Sequence, residues 1–212
     1  AMVLRGIGNH GQWVLALSRS PSLESRFPAG IWGSMGWELP GAIAAKLVHP
    51  ERQVVAITGD GSLLMASSDL GTAVEERTPI LVVVMNDSRY GMMDHILAPR
   101  FERWVGTSYR APDFAAMARS FGAAGVRVDD PAKLDAAIDE ALTQLAEGPV
   151  VLDVVCGSEY PLPVFSRLGA EHAAKVTPSA SARIRRLLRA PRTLARRSGL
   201  RIRRRIRRIR NR

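Results

Sequence analysis

Residues 56 to 93 read AITGDGSLLMASSDLGTAVEERTPILVVVMNDSRYGMM and contain the pattern that decides the fold. Two apolar, β-branched runs, Gln53 to Thr58 and Ile80 to Met85, predict buried strands. Each run ends in a small polar cluster, 59–62 after the first and 86–88 after the second. The residues between the runs predict helix. The stretch is therefore typical of a β-α-β unit in a parallel sheet.

Each polar cluster carries a carboxylate directly after its predicted strand. Because a right-handed β-α-β unit brings the carboxyl ends of neighbouring strands to one edge of the sheet, we expect Asp60 and Asp87 to meet there. Gly59 and Gly61 leave the backbone beside them open to a ligand. Such a pair favours a hard cation with room for a phosphate. The alternative is that both acids are ordinary turn and cap residues.

These residues resemble the diphosphate-binding motif of thiamine-diphosphate-dependent enzymes, in which Gly-Asp-Gly is followed one helix later by Asn-Asn. Gly59-Asp60-Gly61 and Asn86-Asp87 match that motif, and Tyr90-Gly91-Met92 continues the match. The resemblance implies that the Asp60 and Asp87 side chains and the main-chain carbonyl of Arg89 ligate a Mg²⁺ that bridges to the cofactor's diphosphate. Asp87 departs from the usual Asn, so we expect an altered metal affinity.

A glycine-rich turn, Gly6 to Gly11, follows a short predicted strand and precedes a helix predicted over Gln12 to Leu17. Its G-x-G-x-x-G spacing is also typical of dinucleotide sites, but no second strand ending in an acidic residue is evident downstream. Gly8-Asn9-His10 resembles the diphosphate-contacting loop of acetolactate-synthase-like members of the family. Helix N-terminal amides suit such an anion. His10 could instead be a capping or exposed loop residue.

The segment from Gly30 to Lys46 resembles the family's Gly-x-Met-Gly, Leu-Pro and small-residue helix. The resemblance implies that Gly33 and Met35 hold the aminopyrimidine through their backbone, and that the Met35 side chain wedges between the cofactor's rings. A methionine in this position is otherwise an ordinary core residue. Glu38 departs from the small or apolar residue usual there. The cofactor-binding residues we predict are Gly8, Asn9, His10, Gly33, Ser34, Met35, Gly59, Asp60, Gly61, Ser62, Asp87, Tyr90, Gly91 and Met92.

Apolar residues show no regular periodicity over residues 93–110, which predicts a long ordered loop or broken helix over the site. In the family this region closes over the active centre. His95 is the best candidate there because histidine is the side chain best suited to proton transfer near neutral pH, and we predict it to be catalytic together with Met35. Asp94 and Tyr109 are further possible contacts. The alternative for each is an ordinary surface residue.

The remaining pattern alternates helices and strands. It predicts a helix over 41–48, two short helices over 62–76, a helix over 112–121, a strand over 125–128, an amphipathic helix over 131–146 and a last strand over 149–155. This alternation predicts an α/β fold, with a doubly wound, mostly parallel sheet and helices on both faces. Together with the motifs it implies a thiamine-diphosphate-binding domain over residues 1–165.

Charge divides the chain into two parts. Residues 1–182 hold 15 basic and all 20 acidic residues, a net charge of −5, whereas residues 183–212 hold 15 arginines and no acid. We predict a linker over 166–182 and an Arg-rich tail over 183–212. The tail is open to three interpretations: an amphipathic arm for nucleic acid or anionic membrane, a disordered tail, or a reading-frame artefact.

The single cysteine, Cys156, excludes an internal disulfide and favours a buried structural thiol in a reducing, cytoplasmic setting. Residues 1–7 are too short for the core of a signal peptide, and no apolar run reaches transmembrane length. We therefore expect a cytoplasmic protein.

The family places its cofactor between two domains, and the second domain supplies a glutamate to the pyrimidine ring. This chain matches only the diphosphate half. The resemblance therefore implies half of a thiamine-diphosphate-dependent lyase or transferase acting on 2-oxo acids, by decarboxylation or acetolactate-type carboligation, in a hetero- or homo-oligomer with a glutamate-bearing partner domain or subunit. The alternative is a non-catalytic scaffold whose tail engages nucleic acid or membrane.

Overall fold

The computed structural model describes residues 1–18, 25–98 and 100–159, which belong to one compact unit. The strands are β1 (Met2–Arg5), β2 (Arg26–Pro28), β3 (Val54–Gly59), β4 (Ile80–Asn86), β5 (Ala124–Val128) and β6 (Val150–Val155). The α-helices are α1 (Asn9–Leu17), α2 (Glu38–Val48), α3 (Asp60–Ala66), α4 (Asp69–Glu75), α5 (Gly91–Leu97), α6 (Phe114–Ser120) and α7 (Leu134–Gln144). A 3-10 turn, Pro131–Lys133, leads into α7.

The strands form one sheet in the order β2-β1-β3-β4-β6-β5, and every pairing is parallel. In the central pair, Thr58 lies opposite Val84 and Gly59 opposite Met85. Asp60 and Asp87 each follow the last residue of their strand, so this register brings both acids to the same edge of the sheet. The predicted α/β fold with a parallel sheet is confirmed.

The sheet separates two hydrophobic clusters because side chains alternate along each strand. On β4, Ile80 and Val82 belong to the larger cluster, which also holds the buried faces of α2, α4 and α6. Leu81 points the other way, into a smaller cluster that α7 closes with Ala137 and Ala141. Helices therefore cover both faces, as the alternating pattern predicts.

Strand β2 was not predicted. It is only three residues long, and none of its side chains is fully buried, so its sequence lacks the alternation of apolar and polar residues that would predict a strand. Val3 of β1 lies opposite Arg26, so the strand is defined by its backbone pairing at the edge of the sheet. It ends at Pro28 and not at the acidic residue that a dinucleotide site would require.

Helices α1 and α2 each begin three positions before the predicted start, and α7 begins three positions after it. Helix α1 begins at Asn9, three positions before the predicted Gln12, so Asn9 and His10 are helical residues and not loop residues. The predicted pair of short helices over 62–76 is present as α3 and α4. The stretch after β4 forms α5 and then irregular chain, which agrees with a broken helix.

No helix in the described residues is long and apolar enough to cross a membrane. Residues 160–212 lie outside the described part of the chain. The predicted end of the domain at 165, the linker and the Arg-rich tail therefore stay predictions.

Candidate functional site

A cavity of about 480 Å³ lies at the carboxyl ends of the central strands. It is lined by residues from the turn before α1, the loop before α2, the end of β3 with α3, the loop after β4, and the chain after β6. Every residue that we predicted as a cofactor or metal ligand lines this cavity, with the exception of Ser34. The topology thus collects segments that are far apart in the sequence around one space.

Asp60 and Asp87 both face this cavity. Asp60 is 2% exposed and its Oδ1 accepts a 2.7 Å hydrogen bond from the backbone amide of Gly61. Burial raises the pKa of Asp60. Burial and the neighbouring charge of Asp60 raise the pKa of Asp87 to about 6. The two carboxylates therefore repel each other when both are ionised, and a cation between them would relieve that cost.

The residues present fit a magnesium ion. Asp60 Oδ2 is buried and makes no well-formed hydrogen bond, although the Tyr109 hydroxyl and the backbone amides of Ser88 and Arg89 approach this carboxylate. Such a buried oxygen is costly unless a ligand completes it. The described residues contain no group of three or more His, Cys, Asp or Glu side chains that could hold a metal, so this pair needs further oxygen ligands. A backbone carbonyl and phosphate oxygens are the usual supplement for Mg²⁺. Ser88 adopts a left-handed backbone, with φ of 55°, and forms a tight turn between Asp87 and Arg89.

Gly91 allows two polar side chains to approach each other across the cavity. A Cβ placed there would lie 2.5 Å from Asp87 Oδ2 and 2.8 Å from Asn9 Nδ2. The same Asn9 amide donates to the backbone carbonyl of Ser158 at 3.0 Å, while its Oδ1 is buried without a partner. The first turn of α1 therefore lies directly beside the candidate metal pair.

His10 lies deep in the wall of the cavity, with its side chain only 8% exposed. Burial, followed by the positive charge of Arg5, lowers the pKa of His10 to about 4. The imidazole is therefore neutral at physiological pH. Its Nε2 is buried without a hydrogen-bond partner and lies 4.0 Å from Oε1 of Glu38.

Ser62 joins the two halves of the predicted cofactor site. Its hydroxyl donates to the Glu38 carboxyl, 3.0 Å from each oxygen, and accepts from the backbone amide of Gly36 at 2.7 Å. The loop that carries Gly33 and Met35 is thereby fixed to the chain that follows β3. Glu38, for which the sequence offered no explanation, is 1% exposed and part of this contact.

The predicted residues after β4 occupy different places. Tyr90 lines the cavity and Tyr109 does not, and the two ring centroids lie 5.2 Å apart. A Cβ at Gly61 would come within 2.5 Å of the Tyr90 ring and 3.0 Å of the Tyr109 hydroxyl. Burial and the charge of Asp60 raise the pKa of Tyr109. Gly61 therefore provides the space in which both rings pack.

His95 and Asp94 do not line the cavity. Nε2 of His95 lies 2.8 Å from the Ser158 carbonyl, and Asp94 accepts a 2.7 Å hydrogen bond from the Trp104 indole. Asp94 also lies 3.7 Å from the Arg89 guanidinium. Both side chains thus brace the loops around the site, and the catalytic role predicted for His95 stays a prediction.

The chain after β6 lines part of the cavity, which we did not predict. Trp13 donates through its indole to the Glu159 carbonyl at 2.9 Å, and both residues line the cavity. Cys156 also lines it and is only partly buried, so the expectation of a buried structural thiol is wrong. Burial raises the pKa of Cys156 to about 12, which keeps the thiol protonated. No local motif marks these residues, because tertiary contacts bring them to the site.

Comparison with known proteins agrees with this geometry. The model of the family described as "Thiamine pyrophosphate enzyme, C-terminal TPP binding domain" matches residues 6–154. That range contains every predicted cofactor and metal residue.

Individual relatives carry related names. YdaP of Bacillus subtilis, whose name refers to thiamine pyrophosphate, is 43% identical over 61% of this chain and 22% of its own length. Acetolactate synthase of Bacillus subtilis is 35% identical over 70% of this chain and 26% of its own length. Acetolactate synthase isozyme 3 large subunit of Escherichia coli is 33% identical over 80% of this chain and 30% of its own length. The chain therefore spans between a fifth and a third of the length of these relatives.

Proposed function

Since this chain belongs to the thiamine pyrophosphate enzyme family, as its C-terminal TPP-binding domain, we propose that it binds thiamine diphosphate with Mg²⁺ as half of an enzyme acting on 2-oxo acids. The observation that carries the proposal is the pair of Asp60 and Asp87 in one cavity with Met35, with a buried Asp60 oxygen that makes no well-formed hydrogen bond. An abandoned site would be expected to lose these groups.

The metal and the diphosphate would be held by the chain after β3 and the chain after β4. In the proposed complex the carboxylates of Asp60 and Asp87 and the backbone carbonyl of Arg89 ligate Mg²⁺. Gly8, Asn9 and His10 would hold the diphosphate, since the first amides of α1 have no partner within the helix. A bound Mg²⁺ would offset the repulsion between the two acids.

The aminopyrimidine end would be held by the loop before α2. The Gly33 carbonyl and the Met35 amide would bind its polar edge, and the Met35 side chain would support the cofactor between its rings. When bound, thiamine diphosphate supplies a thiazolium that stabilises the carbanion formed from a 2-oxo acid. The protein's part is to hold, bend and shield the cofactor. The names of the acetolactate synthase relatives favour carboligation over simple decarboxylation.

A partner domain or subunit is the remaining component. We propose that it supplies a glutamate to the pyrimidine ring and covers the rim of the cavity. Ile31 and Trp32, which precede Gly33 in the chain, are 102% and 93% exposed, an arrangement typical of a surface that another protein covers. The lone cysteine favours a cytoplasmic setting.

The proposal is tested by native mass spectrometry combined with an assay of pyruvate consumption. The chain is expected to be inactive alone and to gain acetolactate or CO₂ production when it forms a complex with a glutamate-bearing subunit. A homo-oligomer of this chain alone with full activity would contradict the need for a partner.

A further inference from the structure

Glu38 is the first residue of α2 and is almost completely buried, yet the proposed function gives it no task. It does not line the cavity. In the described part of the chain no lysine or arginine forms an ion pair with it. A carboxyl group buried in this way is costly unless it is neutral or well hydrogen-bonded, so the position calls for a specific role.

One face of the Glu38 carboxyl is occupied by Ser62. The Ser62 hydroxyl accepts from the Gly36 amide, so its single proton is directed to Glu38. The Thr58 side chain and the backbone amides of Gly36 and Glu38 also approach the carboxyl oxygens. The imidazole of His10 is a further neighbour of the carboxyl.

Three glycines create the space that His10 and Glu38 share. A Cβ at Gly6 would lie 1.7 Å from Glu38 Oε1 and 2.6 Å from His10 Nε2. A Cβ at Gly8 or at Gly59 would lie within 3.0 Å of the Nδ1 and Cε1 edge of the ring. Nε2 therefore faces Gly6 and Glu38, whereas Nδ1 faces two glycines that line the cavity.

The Nε2 atom needs a hydrogen-bond partner. It is buried and has none within hydrogen-bond range, although Glu38 Oε1 lies at 4.0 Å. A movement of about 1 Å by either side chain would bring the pair into hydrogen-bond range. Hydrogen bonds in catalytic sites are often long without ligand and tighten when it binds.

We propose that Glu38 is a positioning residue that, as a neutral carboxylic acid, donates its proton to Nε2 of His10 and fixes the imidazole with its own proton on Nδ1. The hydrogen bond made by one ring nitrogen sets the protonation of the other. Nδ1–H then points toward the Gly8 and Gly59 side, where it can donate to an anionic oxygen in the cavity. The part of this inference that concerns the diphosphate rests on the proposed function.

The electrostatics of both groups agree with this arrangement. Burial raises the pKa of Glu38 even against the hydrogen bonds that favour its ionised form. Burial and Arg5 lower the pKa of His10 to about 4. Two ionisable side chains, Arg5 and Glu38, lie near His10. A neutral acid facing a neutral imidazole avoids two buried charges.

The tautomer of His10 can be measured without cofactor. The full chain is labelled with ¹⁵N-histidine, and long-range ¹H–¹⁵N correlation spectra are recorded near pH 7. The chain contains four histidines, and His10→Gln identifies the signals of the first. We expect His10 to be neutral with its proton on Nδ1. A proton on Nε2, or protons on both nitrogens, would overturn the proposal.

Variants separate this role from simple packing. Glu38→Gln keeps a donor for Nε2 and an acceptor for Ser62, so the His10 signals are expected to stay in the same tautomer. Glu38→Met fills similar volume without a donor, so the signals are expected to change to a mixture of tautomers. Glu75→Met makes the same chemical change at an exposed position of α4 and is expected to leave them unaltered. An unchanged His10 tautomer in a folded Glu38→Met chain would overturn the proposal.

Binding supplies an independent readout. Thiamine diphosphate is titrated into each variant in the presence of Mg²⁺. We expect about tenfold weaker binding for Glu38→Met and wild-type affinity for Glu38→Gln. If wild-type chain shows the Nδ1–H tautomer but binds no cofactor, the proposed function fails and the positioning role stands. If wild-type chain binds cofactor and both variants bind equally well, the positioning role toward the diphosphate is refuted.

Discussion

Asp153, which is fully buried in β6, accepts a 3.0 Å hydrogen bond from the side-chain amide of Asn86 at the end of β4. Its second oxygen accepts from the backbone amide of Phe114 at 3.0 Å and pairs with the Arg127 guanidinium. Asp153 therefore ties the end of β4 to α6 and β5. Because Asp87 directly follows Asn86, the position of a candidate metal ligand depends on this buried carboxylate.

Asp153→Asn is expected to destabilise the fold by about 2 kcal/mol. Both carboxylate oxygens accept hydrogen bonds, and the NH₂ group of an asparagine would face one of these donors with a second donor. The Arg127 side chain is 37% exposed, so water limits the cost of leaving it unpaired. The free energy of unfolding in urea measures the effect. Asp139→Asn, at an exposed position of α7, is the control and is expected to change little. Equal stability of the two variants would refute the assigned role.

Asp87→Asn is expected to stabilise the metal-free chain at pH 8. The pKa of Asp87 is raised to about 6, so ionising this group costs free energy in the folded state as pH rises through 6. We expect a gain of about 1 kcal/mol at pH 8 and none at pH 4, since partial exposure screens the full effect. Urea unfolding in the presence of EDTA at both pH values checks this.

Asp135→Asn, at an exposed position of α7, is the control for that comparison. A destabilised Asp87→Asn chain at pH 8 would show that burial of the Asp87 charge and its repulsion by Asp60 are not the dominant cost at this site.

His10 is expected to make the chain less stable in mild acid. Its folded-state pKa of about 4 lies below the ordinary value of 6.5, so the unfolded state takes up a proton first as pH falls. Stability from this group is present above pH 6.5 and is lost toward pH 4, by about 3 kcal/mol in full. His10→Gln should remove this part of the pH dependence, measured as unfolding free energy from pH 7 to pH 4.

His49→Gln supplies the matched control, since the His49 side chain is 45% exposed. If the two histidine variants show the same pH dependence, burial of His10 does not have the predicted effect.

Trp32→Glu is expected to weaken association with the glutamate-bearing partner without destabilising the chain. Trp32 is 93% exposed, so the substitution should change the unfolding free energy of the chain by less than about 0.5 kcal/mol. A buried aromatic at an interface contributes much more, so partner affinity should fall at least about tenfold. Leu142→Glu changes an apolar residue that is 48% exposed on α7 and should leave association intact. Equal partner affinity of both variants would place the interface elsewhere.

Much of the fold could be predicted because its decisive signals are local. The runs that became β3 and β4 are apolar and β-branched, and each ends in a glycine- or asparagine-containing turn. Parallel pairing of two such strands then brings Asp60 and Asp87 together without further information. The amphipathic periodicity of α7 and the alternation of strands with helices could also be recognised in the sequence alone.

What could not be predicted depends on contacts between distant residues. Strand β2 exists through backbone pairing with β1 and has no pattern of its own. Glu38 looked like a departure from a family pattern, and only the structure shows it against Ser62 and His10. The position of the chain after β6 depends on hydrogen bonds from Asn9 to Ser158 and from Trp13 to Glu159, which span about two thirds of the chain.

The central claim is that Asp60 helps bind thiamine diphosphate through a metal. The most direct measurement is calorimetric titration of thiamine diphosphate into the purified chain with and without Mg²⁺, with Asp60→Ala as the comparison. We predict saturable binding that requires Mg²⁺ and is lost in Asp60→Ala. No binding to the wild-type chain with Mg²⁺, even in the presence of a partner subunit, would contradict the account.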